Sequence, residues 1–298
     1  MIKFFQQIVN GLALGSIYSL IALGYTMVYG VLRLINFAHG DIYMVGAMVG
    51  YYAARIFTGG GSATRLGLVL LSSMLVCGLL GALIERLAYR PLRRAPKINA
   101  LITAIGVSLF LEYFGQWLFG ADPKSFPDLI ESQQAFNFHG VVFNNIQLMI
   151  FIVSFLLMFG LRFIVQKTKI GKAMRAVSFS HVGSQLVGIP INRIISLTFV
   201  LGSVLAAAAG ILLGLLNHKI DPLMGLMPGL KAFVAAVLGG IGNIPGALAG
   251  GLLMGIAETL VSGYISSTYQ NALAFILLIV VLLVKPAGIF GKSSQEKV

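Results

Sequence analysis

Long apolar stretches separated by short polar loops make up almost the whole chain. A helix that spans about 30 Å of hydrocarbon needs around 20 residues at 1.5 Å each. Stretches of about that length lie at 8–32, 42–58, 66–85, 98–119, 146–165, 191–216, 230–263 and 269–286. This pattern predicts an all-α fold, a polytopic transmembrane helical bundle.

The charges of the loops predict the orientation of the bundle. Residues 86–97 carry only basic charges, from Arg86, Arg90, Arg93, Arg94 and Lys97. The loop 120–145 carries Asp122, Asp128 and Glu131 against Lys124 alone. Basic loops stay in the cytoplasm, so the first loop is predicted inside and the second outside. Counting back three spans places the N-terminus outside, whereas Lys285, Lys292 and Lys297 place the C-terminus inside.

Ends on opposite sides require an odd number of passes, which eight spans do not give. The stretch 230–263 crosses twice if it breaks near its middle, where Gly and Pro cluster at Gly239, Gly240, Gly242, Asn243, Pro245 and Gly246. A re-entrant segment within the first two stretches is the alternative. We therefore expect eight to ten spans, some of them discontinuous, in a single transmembrane domain over 1–298.

Composition supports a membrane protein and excludes several other classes. Of 298 residues 58% are hydrophobic and 10% are charged, with a mean hydropathy of +0.93, whereas soluble domains carry about 25% charged residues. The net charge of +12 comes from loops beside apolar spans, so it indicates orientation and contact with lipid, not nucleic-acid binding. Cys77 is the single cysteine, so no intrachain disulfide forms. The N-terminal MIKFFQQIV is interpreted as part of the first span, not as a removed signal.

The longest polar insertion between apolar stretches runs from Gly171 to Arg193. With the residues leading into it, it holds six Lys or Arg and no acid, so it is predicted to be cytoplasmic. The pattern predicts one short helix from Gly171 and a second one capped by Ser180 and ended by Gly188 and Pro190. Such a helix either rests on anionic headgroups or docks a cytoplasmic partner.

Two glycine-containing stretches predict breaks in helices. Leu34 to Gly46 places Asn36, His39 and Asp41 between apolar stretches too close together for an ordinary loop. This is typical of a discontinuous helix that lines a transport pathway, or of a cytoplasmic turn with Asp41 as the cap. Gly240, Asn243 and Pro245 belong to the second break, which is either a hinge or a pathway lining.

Ionisable residues within the other spans are Glu112 and Glu258. A carboxylate inside a bilayer is costly and usually faces the interior of the bundle. Either residue could serve as a proton or cation site. The absence of a basic partner in the same stretch makes a structural hydrogen bond to a neighbouring helix the favoured role.

The sequence shows no catalytic motif. The segments GKAM at 171–174 and GKSS at 291–294 lack the preceding glycine of a Walker A motif, so this chain is not expected to bind ATP. His39, His139, His181 and His218 are too scattered for a metal site, and no serine stands in a nucleophile elbow. We expect no enzyme activity and no cofactor on this chain.

Three stretches resemble the permease subunits of ATP-driven branched-chain amino acid importers. They are residues 15–47 with the core INFAHGD, the GKAMRAV segment with QLVGIPINRIISLTFVLGSVLAAAAGIL, and LGGIGNIPGALAGGLLMGIAE with the ending VKPAGIFG. Together they are most similar to the H-type permease of the high-affinity leucine, isoleucine and valine system. Permeases for urea and short amides are similar over residues 15–47.

The resemblance implies a complex in the bacterial cytoplasmic (inner) membrane. A second, M-type permease, two cytoplasmic ATPases that bind ATP and Mg²⁺, and a periplasmic amino-acid-binding protein would be its partners. The loop at about 166–193 would be the coupling element on which an ATPase docks, through Gly171, Lys172, Arg175, Ala176, His181, Gln185, Leu186 and Gly188. SFSHVGSQ replaces the more acidic, alanine-rich segment expected there. An ion-coupled secondary carrier that uses Glu112 or Glu258 is the rival hypothesis.

Overall fold

The computed structural model describes residues 1–93 and 95–291. Arg94, Lys292 and Lys297, which entered the charge argument, and most of the GKSS segment lie outside the described residues. The α-helices of the described chain are α1 Ile2–Leu32, α2 His39–Ile56, α3 Ser62–Ile84, α4 Lys97–Phe119, α5 Asn145–Lys167, α6 Lys169–Phe179, α7 His181–Leu186, α8 Ile191–Asn217, α9 Leu226–Gly239, α10 Ile244–Tyr264 and α11 Gln270–Val284. A π-helical turn, Glu85–Tyr89, continues α3, and a 3₁₀ turn, Ser267–Tyr269, precedes α11.

Short strands occur only in the loops at one end of the described bundle. They are β1 Lys124–Ser125, β2 Gln134–Phe138, β3 Val141–Asn144 and β4 Lys219–Ile220. β1 pairs with β4 and β2 pairs with β3, both antiparallel. The predicted all-α class is confirmed.

The centre of the bundle is formed by α1, which packs along α10, α8 and α9. Glycines allow α1 and α10 to come close to each other. A Cβ atom added at Gly15 would lie 2.8 Å from Cα of Leu252, and one added at Gly11 would lie 2.6 Å from Cα of Ile256. Small residues at such contacts let backbones approach where lipid offers no hydrophobic driving force. The helices α4, α5 and α11 expose most of their apolar side chains on the outside.

Seven helices of the described chain are long and apolar enough to cross a membrane on their own: α1, α3 with its π turn, α4, α5, α8, α10 and α11 with its 3₁₀ turn. Two other helices in the bundle, α2 and α9, are not among these seven. With 14 residues, α9 is about 21 Å long, which is less than the hydrocarbon thickness. Each of α2 and α9 follows a non-helical segment, 33–38 and 218–225, the second of which includes strand β4.

The predicted double crossing of the stretch 230–263 therefore takes an unexpected form. The two arms are an antiparallel hairpin, α9 and α10, with its turn at 240–243. The turn lies within the predicted break, and the side chain of Asn243 caps α10 by accepting a hydrogen bond from N–H of Gly246. The arm formed by α9 is shorter than a full span, because it has only 14 helical residues.

Contacts between loops agree with the predicted sidedness. The side chain of Gln6, near the N-terminus, accepts a hydrogen bond from N–H of Val142 (2.8 Å), so the N-terminus lies beside the acidic loop. At the opposite end, Arg93 of the basic loop donates to Asn192, which follows α7 in the chain. The backbone of Phe290 bonds to Gly239, at the turn of the α9–α10 hairpin. The described C-terminal segment thus lies at the same end as the basic loop.

Candidate functional site

The first turn of α2 begins inside the bundle. Asn36, His39 and Asp41 are only 2%, 1% and 2% exposed. The ring of His39 lies against Gly24 of α1 and Gly202 of α8. Gly24 is eight residues before the end of α1, so α2 starts about 12 Å inward from that end. The alternative of a cytoplasmic turn at this point is wrong, because the chain folds back into the bundle before α2 begins.

The start of α9 meets the start of α2 at this depth. A Cβ atom added at Gly40 would lie 2.6 Å from the carbonyl oxygen of Gly225, so both positions need glycine for the backbones to pass. Beside this contact is a small cavity of about 50 Å³, which we call the α2–α9 cavity. Its lining includes Tyr25, Phe37, Asp41, Ser108, Leu226 and Leu230.

Asp41 provides the charge in the lining of this cavity. Its Oδ2 accepts a hydrogen bond from the hydroxyl of Ser108 on α4, at 2.5 Å. Glu112 lies one turn beyond Ser108 on the same face of α4 and is half-buried. The structure thus groups two of the predicted pathway residues, Asp41 and Glu112, on facing helices. Ser108 was missed by the sequence analysis, although its position four residues before Glu112 could have indicated it.

Asn36 belongs to a different contact. Its Oδ1 accepts a hydrogen bond from the hydroxyl of Tyr89 (2.9 Å), which lies on the π turn after α3. The Nδ2 of Asn36 and the Nε2 of His39 are buried without a hydrogen-bond partner among the described residues. Neither residue is among those that line the α2–α9 cavity.

Glu258 has the structural role that the sequence favoured, but with a partner that the sequence analysis missed. Nζ of Lys231 on α9 lies 2.6 Å from Oε1 of Glu258 on α10. The hydroxyl of Tyr18 on α1 donates to Oε2 at 2.9 Å. The statement that no basic residue shares the stretch with Glu258 was wrong, because both ends of this buried pair lie within 230–263. The antiparallel hairpin brings them together.

Gly240, Asn243 and Pro245 lie at the far end of α9 from the α2–α9 cavity. The amide of Asn243 donates to the carbonyl oxygen of Phe290 (2.8 Å), and the backbone N–H of Ile289 donates to Leu238 (2.8 Å). These contacts tie the C-terminal segment to the hairpin turn. The structure does not bring the two predicted breaks together, since the length of α9 separates them.

The basic insertion forms two short helices, but the first one begins at Lys169, two residues before the predicted start, because the side chain of Thr168 caps it by accepting a hydrogen bond from N–H of Gly171. α6 packs closely on the end of α5, where Gly171 is buried and the guanidinium of Arg175 donates to the carbonyl of Val165. Ser180 caps α7 by accepting a hydrogen bond from N–H of Gly183, which confirms its predicted role. Gly188 and Ile189 bond back to α7 in the pattern of a Schellman motif.

The exposed surface of α6 and α7, with the residue that follows α7, includes four large apolar side chains. Phe179 is 89% exposed and Leu186 is 83% exposed, and Val182 and Val187 are exposed beside them. Of the other residues predicted for coupling, Lys172, His181, Gln185 and Gly188 are also exposed, and Ala176 is half-buried. His181 also reaches inward, where its Nε2 lies 3.1 Å from the carbonyl oxygen of Val31 at the end of α1.

An open cavity of about 1290 Å³ lies between α7 and the basic loop. Its lining includes Leu32, Arg90, Arg93, His181, Gln185 and Asn192. One wall is fixed by Glu85, which is fully buried, pairs with Arg93 and accepts a hydrogen bond from Ser196 on α8. Arg93 is eight residues from Glu85 and lies beyond the end of the helix, so this pair depends on how the basic loop folds back.

In the part of the chain that the structure describes, seven helices are long and apolar enough to cross a membrane and two more begin in the interior of the bundle, which is the architecture of a multi-pass membrane protein. The chain belongs to the family described as "Branched-chain amino acid transport system / permease component", whose model matches residues 7–282. The resemblance seen in the sequence is thereby confirmed. Membership makes the chain a transport subunit and not an enzyme, within a heteromeric complex that has separate ATPase and substrate-binding partners.

Curated relatives match over almost their full length. BraD of Pseudomonas aeruginosa, a high-affinity branched-chain amino acid transport system permease protein, is 44% identical over 99% of this chain and 98% of its own. LivH of Escherichia coli K12 has the same identity and coverage. The solved structure of PsaBC from Streptococcus pneumoniae in complex with Fab shares 13% identity with a TM-score of 0.50, covering 93% of this chain and 91% of that one. This last similarity concerns the fold alone.

Proposed function

We propose that this chain is the permease subunit of an ATP-binding-cassette importer that moves branched-chain amino acids across the cytoplasmic membrane of a bacterium. The observation that carries this proposal is the full-length similarity to BraD and LivH, whose names specify that cargo. The architecture suits the task, because an aliphatic zwitterion needs apolar walls with a few polar groups. The bundle offers such walls around the start of α2.

The remaining components are supplied by other chains in this proposal. A second permease of the M type completes the pathway, and a periplasmic amino-acid-binding protein delivers the substrate at the outer loops. Two cytoplasmic ATPase subunits bind ATP and Mg²⁺. The absence of a Walker A motif in this sequence supports that division of labour.

We assign ATPase docking to α6 and α7. Four apolar side chains, Phe179, Val182, Leu186 and Val187, are exposed on a basic cytoplasmic element, where apolar exposure favours a protein partner. The opposite side of the element contacts α1, α5 and α8. Movement of a docked ATPase would therefore reach the end of α1 through His181 and Val31.

The test is reconstitution of the chain with its partner permease, ATPases and binding protein in proteoliposomes. ATP-dependent uptake of leucine, and no uptake of urea, is the expected result. Leucine uptake by this chain without the ATPases would contradict the importer.

Leu186→Asp tests the docking assignment. Buried apolar anchors are worth about 2 kcal/mol or more at an interface, so the variant should retain little ATPase on purification and lose most uptake. Ile2→Asp, at an exposed apolar residue of the outer end, is the matched control and should behave like the wild type. Normal assembly and uptake in Leu186→Asp would show that α7 is not the docking element.

A further inference from the structure

The buried carboxylate of Asp41 has no counter-charge in the described part of the chain. None of the ion pairs between described residues includes Asp41 or Glu112. Ser108 donates to Oδ2 of Asp41, and no other described side chain donates to its carboxylate. The other buried acids of the bundle are satisfied, since Glu85 pairs with Arg93 and Glu258 with Lys231. Among the described residues, Asp41 therefore differs from these two buried acids in having no basic partner.

Its position in the first turn of α2 does not compensate for this burial. An acid at a helix start gains about 0.3–1 kcal/mol, or up to roughly 2 kcal/mol when partly buried. Removing a carboxylate from water costs several kcal/mol even after relaxation. Glu112 adds a second acid nearby on α4. A cation that enters during function would balance these two charges.

The α2–α9 cavity limits what that cation is. A volume of about 50 Å³ admits a group the size of a few water molecules and excludes a whole amino acid. The ammonium group of an amino acid fits, because it is compact and has three N–H donors that carboxylate oxygens can accept. The apolar part of the substrate would then lie outside the α2–α9 cavity, which is too small to hold it.

We propose that Asp41, with Glu112 one turn along α4, binds the α-ammonium group of the transported amino acid in the α2–α9 cavity. Ser108 is a positioning residue that orients the carboxylate of Asp41. The inference rests on the proposed import function and adds to it the residue that recognises the substrate's charge.

The first experiment measures the charge of the cavity in the assembled importer. The native Cys77 is buried and is replaced by serine, and Leu230→Cys places a thiol in the lining of the α2–α9 cavity. A cationic aminoethyl thiosulfonate should react roughly tenfold faster than an anionic sulfonatoethyl one, the effect of about one unit charge about 10 Å away. Asp41→Asn should abolish most of that preference, and leucine with its binding protein should slow the reaction.

Two controls make this readout specific. Ser154→Cys, at a buried position of α5, should not react. Glu112→Gln changes a half-buried position and should lower the preference for the cationic reagent, so it provides the charge test even if Asp41→Asn fails to assemble. Equal rates for both reagents in the parent, or an unchanged preference in the assembled variants, would overturn the proposal.

The second experiment measures transport. Asp41→Asn should lower ATP-dependent leucine uptake by about tenfold or more, while the binding protein still stimulates ATP hydrolysis. Glu131→Gln, in the exposed outer loop, should transport like the wild type. Leucine uptake by the wild-type complex tests the import function itself. A failure of the proposed function is therefore distinguished from a failure of the ammonium assignment. Full uptake by Asp41→Asn would overturn the ammonium assignment alone.

Discussion

The acidic residues within the bundle have unlike surroundings. Glu258 has both carboxylate oxygens engaged, by Lys231 and Tyr18, whereas Asp41 receives one hydrogen bond from Ser108. Sequence alone could not separate these cases, because the partners of Glu258 lie 27 and 240 residues away. Ionisable residues inside a membrane protein usually have a partner, so the different partners of these two acids suggest different roles.

The pair of Lys231 and Glu258 should behave as a buried ion pair in a double-mutant cycle. Lys231→Met or Glu258→Gln alone leaves one charge buried without a partner, which costs about 3–5 kcal/mol. The double variant should lose less stability than the sum of the single variants, because neither charge remains. Thermal unfolding of the detergent-solubilised complex, followed by fluorescence-detected size exclusion, measures the difference.

Lys219→Met is the control for this cycle, since Lys219 is exposed in the outer strand β4. It should leave the unfolding temperature unchanged. Strictly additive losses in the double variant would mean that the 2.6 Å contact contributes no coupling.

Elements that depend on local signals were predicted well, and those that depend on distant contacts were not. The boundaries of α7 follow from Ser180 and Gly188, which act within a few residues of their own position. The depth at which α2 begins depends on Gly24 and Gly202, which are remote in the sequence. Apolar length alone gave the helices but could not show that α9 is a partial span.

The close packing of α1 on α10 can be tested by a substitution at Gly15. Gly15→Val adds side-chain atoms where a Cβ would already lie 2.8 Å from the backbone of Leu252. Overpacking of this kind costs typically about 1–3 kcal/mol, so the unfolding temperature of the purified complex should fall.

Gly160→Val on α5 is the matched control, since a Cβ there meets nothing within 4 Å. Both substitutions replace glycine within a helix, so their difference reports packing and not helix propensity. Equal unfolding temperatures for the two variants would contradict close contact between α1 and α10.

For the whole molecule, the orientation predicted from loop charges agrees with which loops touch. The acidic loop shares one end of the bundle with the N-terminus, and the basic loop shares the other with α7 and the C-terminal segment. The charge rule depends on composition near each span and not on tertiary contacts, and it groups the loops at the two ends as these contacts do. Which end faces the cytoplasm stays a prediction. The number of membrane passes was harder to predict, because α2 and α9 do not have the length and apolar character of a full span.

Sidedness can be measured with single cysteines in a Cys77→Ser chain. Ser132→Cys, in the acidic loop, should react with an impermeant maleimide added to intact spheroplasts. Gln185→Cys, on α7, should react only after the membrane is opened. The parent without cysteine is the blank, and labelling of Gln185→Cys in intact spheroplasts would reverse the orientation.

The contact between α1 and α10 can form only late in the synthesis of the chain. Tyr18 meets Glu258 across 240 residues, so the first helix enters the membrane long before its main neighbour is translated. At about 5–20 residues per second this interval is roughly 12–50 s. During that time the glycine face of α1 and its tyrosine are open to lipid or to the insertion machinery. A nascent chain that stalls before α10 leaves this surface uncovered.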